Sequence, residues 1–330
     1  MVNRGSGSID NVEGVSRLGT YTLRLKGEEG TAFGSPVFAP SKDIATKRGY
    51  ALLSSPKIYP GQLIHANLLT DSEVGTESRI YLSYYGENDE VTIVHGNTSR
   101  IISGQSFCLD LLVPENVHPV FEVGIELLSK GTVHLDSLSW GGAPKVKFGR
   151  PQGKGTMWKR AWVSAVYDFK HRLEPYRLVQ NEGAGLLIQG SREWEDYRVE
   201  ADVTPHLVKS VGLAGRVQGM RRYYSLVAHR NGELQLNKML NQQVCLKKIP
   251  FEWSMGDSFV LSLSFRGDSL VGSVNGETKI EVVDTDIDCG GIALLVVVFI
   301  CRIVLRPFRS DKSIFQTTDR RKSRDLTTFF

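Results

Sequence analysis

No stretch of this 330-residue chain is both long enough and apolar enough to cross a bilayer as a helix. The longest uncharged run of that kind, Gly290 to Cys301, has twelve residues before Arg302 interrupts it, whereas a span needs about 20. Rich in Val and Ile and preceded by the turn-like "DCGG", it reads as strand. The opening residues, "MVNRGSGSIDNVEG", hold no apolar leader segment. These absences predict a cytoplasmic protein with no membrane partner. Cysteine is scarce as well: Cys108, Cys245, Cys289 and Cys301 lie far apart, with no CxxC and no Cys/His ligand spacing. They are expected as unpaired buried thiols in a reducing compartment, with a Cys289–Cys301 bridge as the alternative.

The body also lacks an excess of charge of either sign. The net charge is +4, and seven basic residues against three acidic ones between Arg306 and Phe330 account for all of it. Residues 1–305 are formally neutral and carry no basic footprint for nucleic acid. Catalytic signatures are missing too: there is no HExxH, and no Gly-x-Ser-x-Gly nucleophile for a histidine to serve. Glycosidases on concanavalin-type sandwiches line up carboxylates at period two, because acid/base and nucleophile must flank one bond. "VEADVTP" supplies Glu200 and Asp202, but the next position on that face is Thr204. A glycoside hydrolase acting from this half is therefore the alternative reading, and a structural spacer is a second alternative.

What the chain does have is short strand-like segments parted by turn residues. In the first half they fall at 20–25, 50–56, 62–70, 79–86, 91–96, 106–114, 120–129 and 132–140, separated by material such as "YPGQ", "GEND" and "SKG". In the second half they follow at 196–205, 211–218, 222–229, 233–239, 244–250, 258–267, 269–276, 278–284 and 291–299, with Asn-Gly hairpin signals in "HRNGEL" and "VNGETK". No amphipathic helix interrupts them. The pattern predicts an all-β protein of two tandem antiparallel β-sandwiches. A stretch rich in Gly, Pro and Lys, "GGAPKVKFGRPQGKG" (141–155), is the one clear linker. The expected boundaries are 1–145, a linker at 146–155, 156–305, and a basic, disordered tail at 306–330.

Two resemblances sharpen this. "KGTVHLDSLSWGGAP" resembles the closing strand of galactose-binding-like jelly rolls, a Gly-x-Val-x-Leu-Asp-x-Leu pattern. "PYRLVQNEGAGLLIQGSREWEDYRVEADVTPHL", "VGLAGRVQGMRRYYSLVAHRNGELQLNKML" and "DTDIDCGGIALLV" resemble a concanavalin A-like, laminin-G-like sandwich. The particular form is similar to the C-terminal accessory region of ADP-ribosylglycohydrolase-type proteins, over about residues 156–297. The resemblance implies a non-catalytic region that binds a carbohydrate or ADP-ribose-related ligand, alongside a hydrolase catalytic domain. That catalytic domain, a helical bundle with an Asp-Asp magnesium motif, is not here: the chain contains no Asp-Asp pair.

Aromatic rings suit sugar C–H faces, and hydroxyls need fixed polar partners. The ligand-binding candidates are thus Tyr84, Tyr85, Trp140 and Trp158, with Arg216, Gln218, Arg222, Tyr223 and Tyr224 from "RVQGMRRYYS". Strand alternation sets Tyr223 and Tyr224 on opposite faces. A structural calcium is the only cofactor considered, at Asp136 or at Asp284 and Asp286 of "DTDIDCG"; an EF-hand is excluded because Cys289 and Leu295 stand where it needs Gly and Glu. One mismatch with the resembling family concerns the end. After "DCGGIALLV" the family leads one to expect a polar turn and a separate closing strand, whereas this chain runs on as "VVFICRIVLRPF". The expectation is a sequence out of register after about Val297, as in a truncated gene product, with a sheet edge left unpaired.

Overall fold

The structure, a computed structural model, describes residues 1–38, 55–170 and 176–305. The strand expected at 50–56 falls largely outside these residues, as does the basic tail. The protein is nearly all β, with 61% strand against 1% helix, and no helix among the described residues is long and apolar enough to cross a membrane.

The first half makes two antiparallel sheets. One runs β1 (Val2–Arg4), β4 (Thr31–Pro36), β10 (Val120–Leu127), β6 (Thr76–Tyr85), β7 (Val91–His95), with β8 (Ser99–Ile101) added on β6. The other runs β2 (Gly7–Glu13), β3 (Tyr21–Gly27), β11 (Gly131–Gly141), β5 (Leu63–Leu69), β9 (Phe107–Leu112). Period-two alternation turns one face of each inward. Ile64, Ala66 and Leu68 of β5 meet Ile80 and Leu82 of β6 and Val123, Ile125 and Leu127 of β10 in a single apolar core. Sequence reading misses β1, β2, β4 and β8. "GSIDNVE" and "TAFGSP" have few β-branched residues, and their strand form comes from the partners they pair with.

The second half is one antiparallel sheet that folds back on itself. Its path is β12 (Val163–Ala165), β14 (Tyr176–Gln189), β22 (Gly291–Leu305), β15 (Arg198–Gly219), β16 (Arg222–His229), β17 (Glu233–Leu240), β18 (Gln242–Pro250). From β15 a second wing leaves through β19 (Phe259–Arg266), β20 (Ser269–Val274) and β21 (Glu277–Val283), and β13 (Asp168–Lys170) pairs β14. The branch is possible because β15 is long. Arg198–Val203 pairs β19, Ser210–Gly219 pairs β16, and the register shifts between Pro205 and Leu207. The two wings close on a shared core, with Val199, Leu261 and Leu263 from one and Leu213, Leu226 and Leu234 from the other. Asn275 and Gly276, both at positive φ, form the turn that "VNGETK" predicts between β20 and β21.

Three expectations are corrected. No turn breaks β22, and no edge is left open by its continuation: it pairs with β14 from Ile292 to Ile303 and with β15 from Gly291 to Leu305. One continuous strand thereby pairs with both β14 and β15, where two strands separated by a turn were expected. The stretch expected as a linker is packed: Val146 and Phe148 sit with Tyr59 in the second core. The Asp89 carboxylate accepts hydrogen bonds from the backbone N–H of Thr156 and Met157 at 2.8 Å, at the start of α1 (Met157–Arg160). The thiols also differ from expectation. Cys108 and Cys245 are exposed, and Cys289 is a free thiol, which excludes the bridge.

Candidate functional site

The outer face of the six-stranded sheet carries charge where an idle face would carry scattered polar groups. Since Ile80 and Leu82 point inward, Arg79, Tyr81, Ser83 and Tyr85 of β6 point out; since Val123 and Ile125 point inward, Glu122, Gly124 and Glu126 of β10 point out. Register sets Glu126 opposite Arg79 and Gly124 opposite Tyr81 on one side, and Gly124 opposite Gly34 on the other. His95 and Ile93 of β7 extend the face beyond Tyr81 and Ser83.

At its centre lies Glu122, only 5% exposed. Its carboxylate accepts from Arg4 Nη2 at 2.6 Å and from the Tyr81 hydroxyl at 3.0 Å. Burial and the Glu122 carboxylate together push the Tyr81 hydroxyl well above its ordinary pKa. Both groups lie over a glycine floor. A Cβ on Gly34 would come within 2.4 Å of Glu122 Cδ, and one on Gly124 within 2.8 Å of the Tyr81 ring. A second ion pair, Arg79 Nε to Glu126 Oε2 at 2.7 Å, is joined by His95 Nε2 at 3.4 Å. At the far end Tyr85 stacks on Phe121 with centroids 4.4 Å apart. Arg4 keeps 58% of its side chain in solvent, and Ile93 is half exposed. The face thus offers fixed donors, fixed acceptors and an aromatic ledge.

Of the sequence candidates, Tyr85 is on this face. Tyr84 turns inward against the first core, and so does Trp140. Trp158 stacks on Tyr176 at 5.8 Å and donates its indole N–H to the Gly155 carbonyl. Arg216 is corrected from ligand group to internal clamp. It is 2% exposed, and its guanidinium donates to the carbonyls of Ile287, Gly267 and Glu195 while lying over the Phe265 ring. Gln218 donates to the Cys289 carbonyl at 2.9 Å, and Arg222 is exposed at the start of β16. Tyr224 is in the core, whereas Tyr223 is buried on the opposite sheet face with Leu186, Val227 and Leu295. These residues do not converge on one site.

The carboxylates named for calcium are bonded within the protein. Lys238 Nζ sits between Asp284 Oδ2 at 2.6 Å and Asp286 Oδ2 at 2.5 Å, where a cation was expected. Although burial works against it, the bonds from Lys238 and Tyr224 hold the Asp284 carboxyl below its usual range. Asp136 accepts from the Ser16 hydroxyl and from the N–H groups of Arg17 and Leu18, so it anchors a loop. In the second half, Glu200 is bound to Arg198 at 2.7 Å.

Sequence reading missed Arg4, Arg79, Tyr81, His95, Glu122 and Glu126. The signal was present in part: in "RIYLSYY" and "FEVGIE" the charged and phenolic groups Arg79, Tyr81, Tyr85, Glu122 and Glu126 fall on alternate positions of apolar strands.

No family model matches the chain and no curated protein matches it. Among solved structures it is similar to the carbohydrate-binding module CBM66 from Bacillus subtilis, at 13% identity over 43% of this chain and 91% of that one, TM-score 0.41. It is also similar to a galectin-like-fold protein of unknown function from Bacillus subtilis, at 14% identity over 47% and 90%, TM-score 0.38. A third is the CBM22-1–CBM22-2 tandem domain of Paenibacillus barcinonensis Xyn10C, at 8% identity over 94% and 93%, TM-score 0.32.

Proposed function

We propose that the outer face of the six-stranded sheet binds a carbohydrate and does not hydrolyse it. The observation that carries this is the buried Glu122 carboxylate, fixed between Arg4 and Tyr81 next to the Tyr85–Phe121 ledge. Charged groups make the stronger hydrogen bonds to hydroxyls. Groups already held in place by one another lose little freedom when a ligand arrives. A ring at the end of such a row accepts a sugar's C–H face. Binding without hydrolysis follows from spacing: Glu122 and Glu126 stand four residues apart on one strand, about 13 Å, and paired hydrolytic carboxylates lie within roughly 10 Å. Each is also committed to an arginine.

The resemblance to the accessory region of ADP-ribosylglycohydrolase-type proteins supports an ADP-ribose-related ligand as the second class to assay, and a hydrolase catalytic domain as the partner it serves. A glycan array and calorimetric titration with ADP-ribose, on the full chain, test the reading. Binding is expected, with Arg4→Ala and Tyr85→Ala each weakening it by at least about tenfold, or 1.4 kcal/mol, while circular dichroism checks that both variants remain folded. Absence of binding to any saccharide or to ADP-ribose overturns it, as does binding that neither substitution weakens.

A further inference from the structure

No Cys/His metal spacing exists along the chain, yet strand pairing assembles one in space. β5 and β9 pair with His65 opposite Asp110 and Asn67 opposite Cys108. Ile64, Ala66 and Leu68 of β5 and Leu109 and Leu111 of β9 fill the core, so His65, Cys108 and Asp110 must stand on the outer face. There His65 Nδ1 lies 2.6 Å and Cys108 Sγ 3.2 Å from the same oxygen, Asp110 Oδ1. One ligand atom from each of the three lies within 4.8 Å of the others. β9 is the last strand of its sheet, so solvent reaches the cluster from the open edge.

A Cys-His-Asp catalytic relay would need the imidazole between thiol and carboxylate, to take the thiol's proton. Here the carboxylate is in the middle, and both neighbours converge on it. That order suits a cation, which would replace the protons now held between three ligand atoms. We propose that His65, Cys108 and Asp110 form a three-ligand site for a borderline-soft divalent ion of the zinc class, with its remaining position open to solvent. The donor set decides the class: thiolate and imidazole favour zinc-type ions, while calcium and magnesium require oxygen ligands. A tetrahedral ion with bonds of about 2.0–2.3 Å holds its ligand atoms about 3.3–3.7 Å apart. The two short separations need only open by about 1 Å or less, within reach of ordinary side-chain rotation. The site lies on the other sheet from the proposed carbohydrate face and does not depend on that reading.

Titration of the full chain with Co2+, in a reductant free of thiols, tests it. One equivalent is expected to bind, with a thiolate-to-metal charge-transfer band. Cys108→Ser removes the band, His65→Ala and Asp110→Asn each weaken binding by at least about tenfold, and Cys245→Ser changes neither. All three ligand side chains stand outward from the core, so the variants fold, as circular dichroism checks. No saturable band, a band that follows Cys245, or affinity unchanged in His65→Ala and Asp110→Asn overturns the proposal.

Discussion

Arg216 shows how far a residue's role can depart from its type. An arginine in a strand of a ligand-binding sandwich is a reasonable hand for a sugar, and "RVQGMRRYYS" gives no cue that this one points inward. It does so because β15 bulges at this residue: φ is +49°, its N–H donates to the Tyr197 hydroxyl, and the register shifts between Gly215 and Gly219 against β16 and between Gly215 and Val217 against β22. The guanidinium then ties three loops through the carbonyls of Glu195, Gly267 and Ile287. Arg216→Ala leaves those buried acceptors without donors and is expected to cost about 3 kcal/mol. Arg216→Lys keeps the charge and loses the fork, so it should recover only part of this. Urea unfolding midpoints of the two variants measure the difference. The tyrosine pair is the opposite case. Alternation alone put Tyr223 and Tyr224 on opposite faces, and they lie there.

Single elements were legible where pattern and propensity agreed. The strands β5, β6, β10, β16, β17 and β19 announce themselves through alternating or continuous Val, Ile, Leu and Tyr. The strands β1, β2, β4 and β8 did not, and neither did the continuation of β22, because a 15-residue strand is long by ordinary standards. The candidate face was half legible. Alternation shows which residues of β6 and β10 face out, but nothing in the order of residues pairs Arg4 with Glu122, 118 positions away. The β21–β22 connection illustrates the same limit with a metal. "DTDIDCG" has the acidic period of a calcium loop, and only the register of β17 reveals that Lys238 fills it. Calcium is therefore expected to leave the melting temperature of the parent protein unchanged. Lys238→Ala, which sets Asp284 and Asp286 side by side unneutralised, is expected to lose about 2 kcal/mol. Thermal melts with and without calcium, on both proteins, check each half of that statement.

The whole molecule is held together by a seam that its sequence presents as a flexible joint. Tyr59, from the first half, reaches into the second core: its hydroxyl accepts the Gly190 N–H at 2.9 Å, and its ring meets Trp194 edge-on at 4.7 Å. His118 stacks on the other side of Tyr59 at 5.1 Å and meets Phe148 edge-on at 5.9 Å. Its Nε2 faces Gln189, 3.3 Å away. Enclosure of this kind disfavours the imidazolium, and burial holds the His118 pKa down to about 3. In the unfolded chain the same imidazole takes up a proton near its ordinary value of about 6.5. Above that pH it is neutral in both states and contributes no pH dependence. As pH falls below it, only the unfolded state gains the proton, so stability drops by about 1.4 kcal/mol per pH unit until the native pKa is reached. Between pH 6.5 and 4.5 the loss from this one group is about 2–3 kcal/mol. His118→Phe keeps an aromatic ring against Tyr59 and cannot titrate, so its unfolding free energy should fall by about 2–3 kcal/mol less than the parent's over that interval. Urea denaturation of both proteins at the two pH values makes the comparison. Equal slopes would mean that His118 is protonated in the native state and that the seam is not the closed aromatic junction its geometry describes.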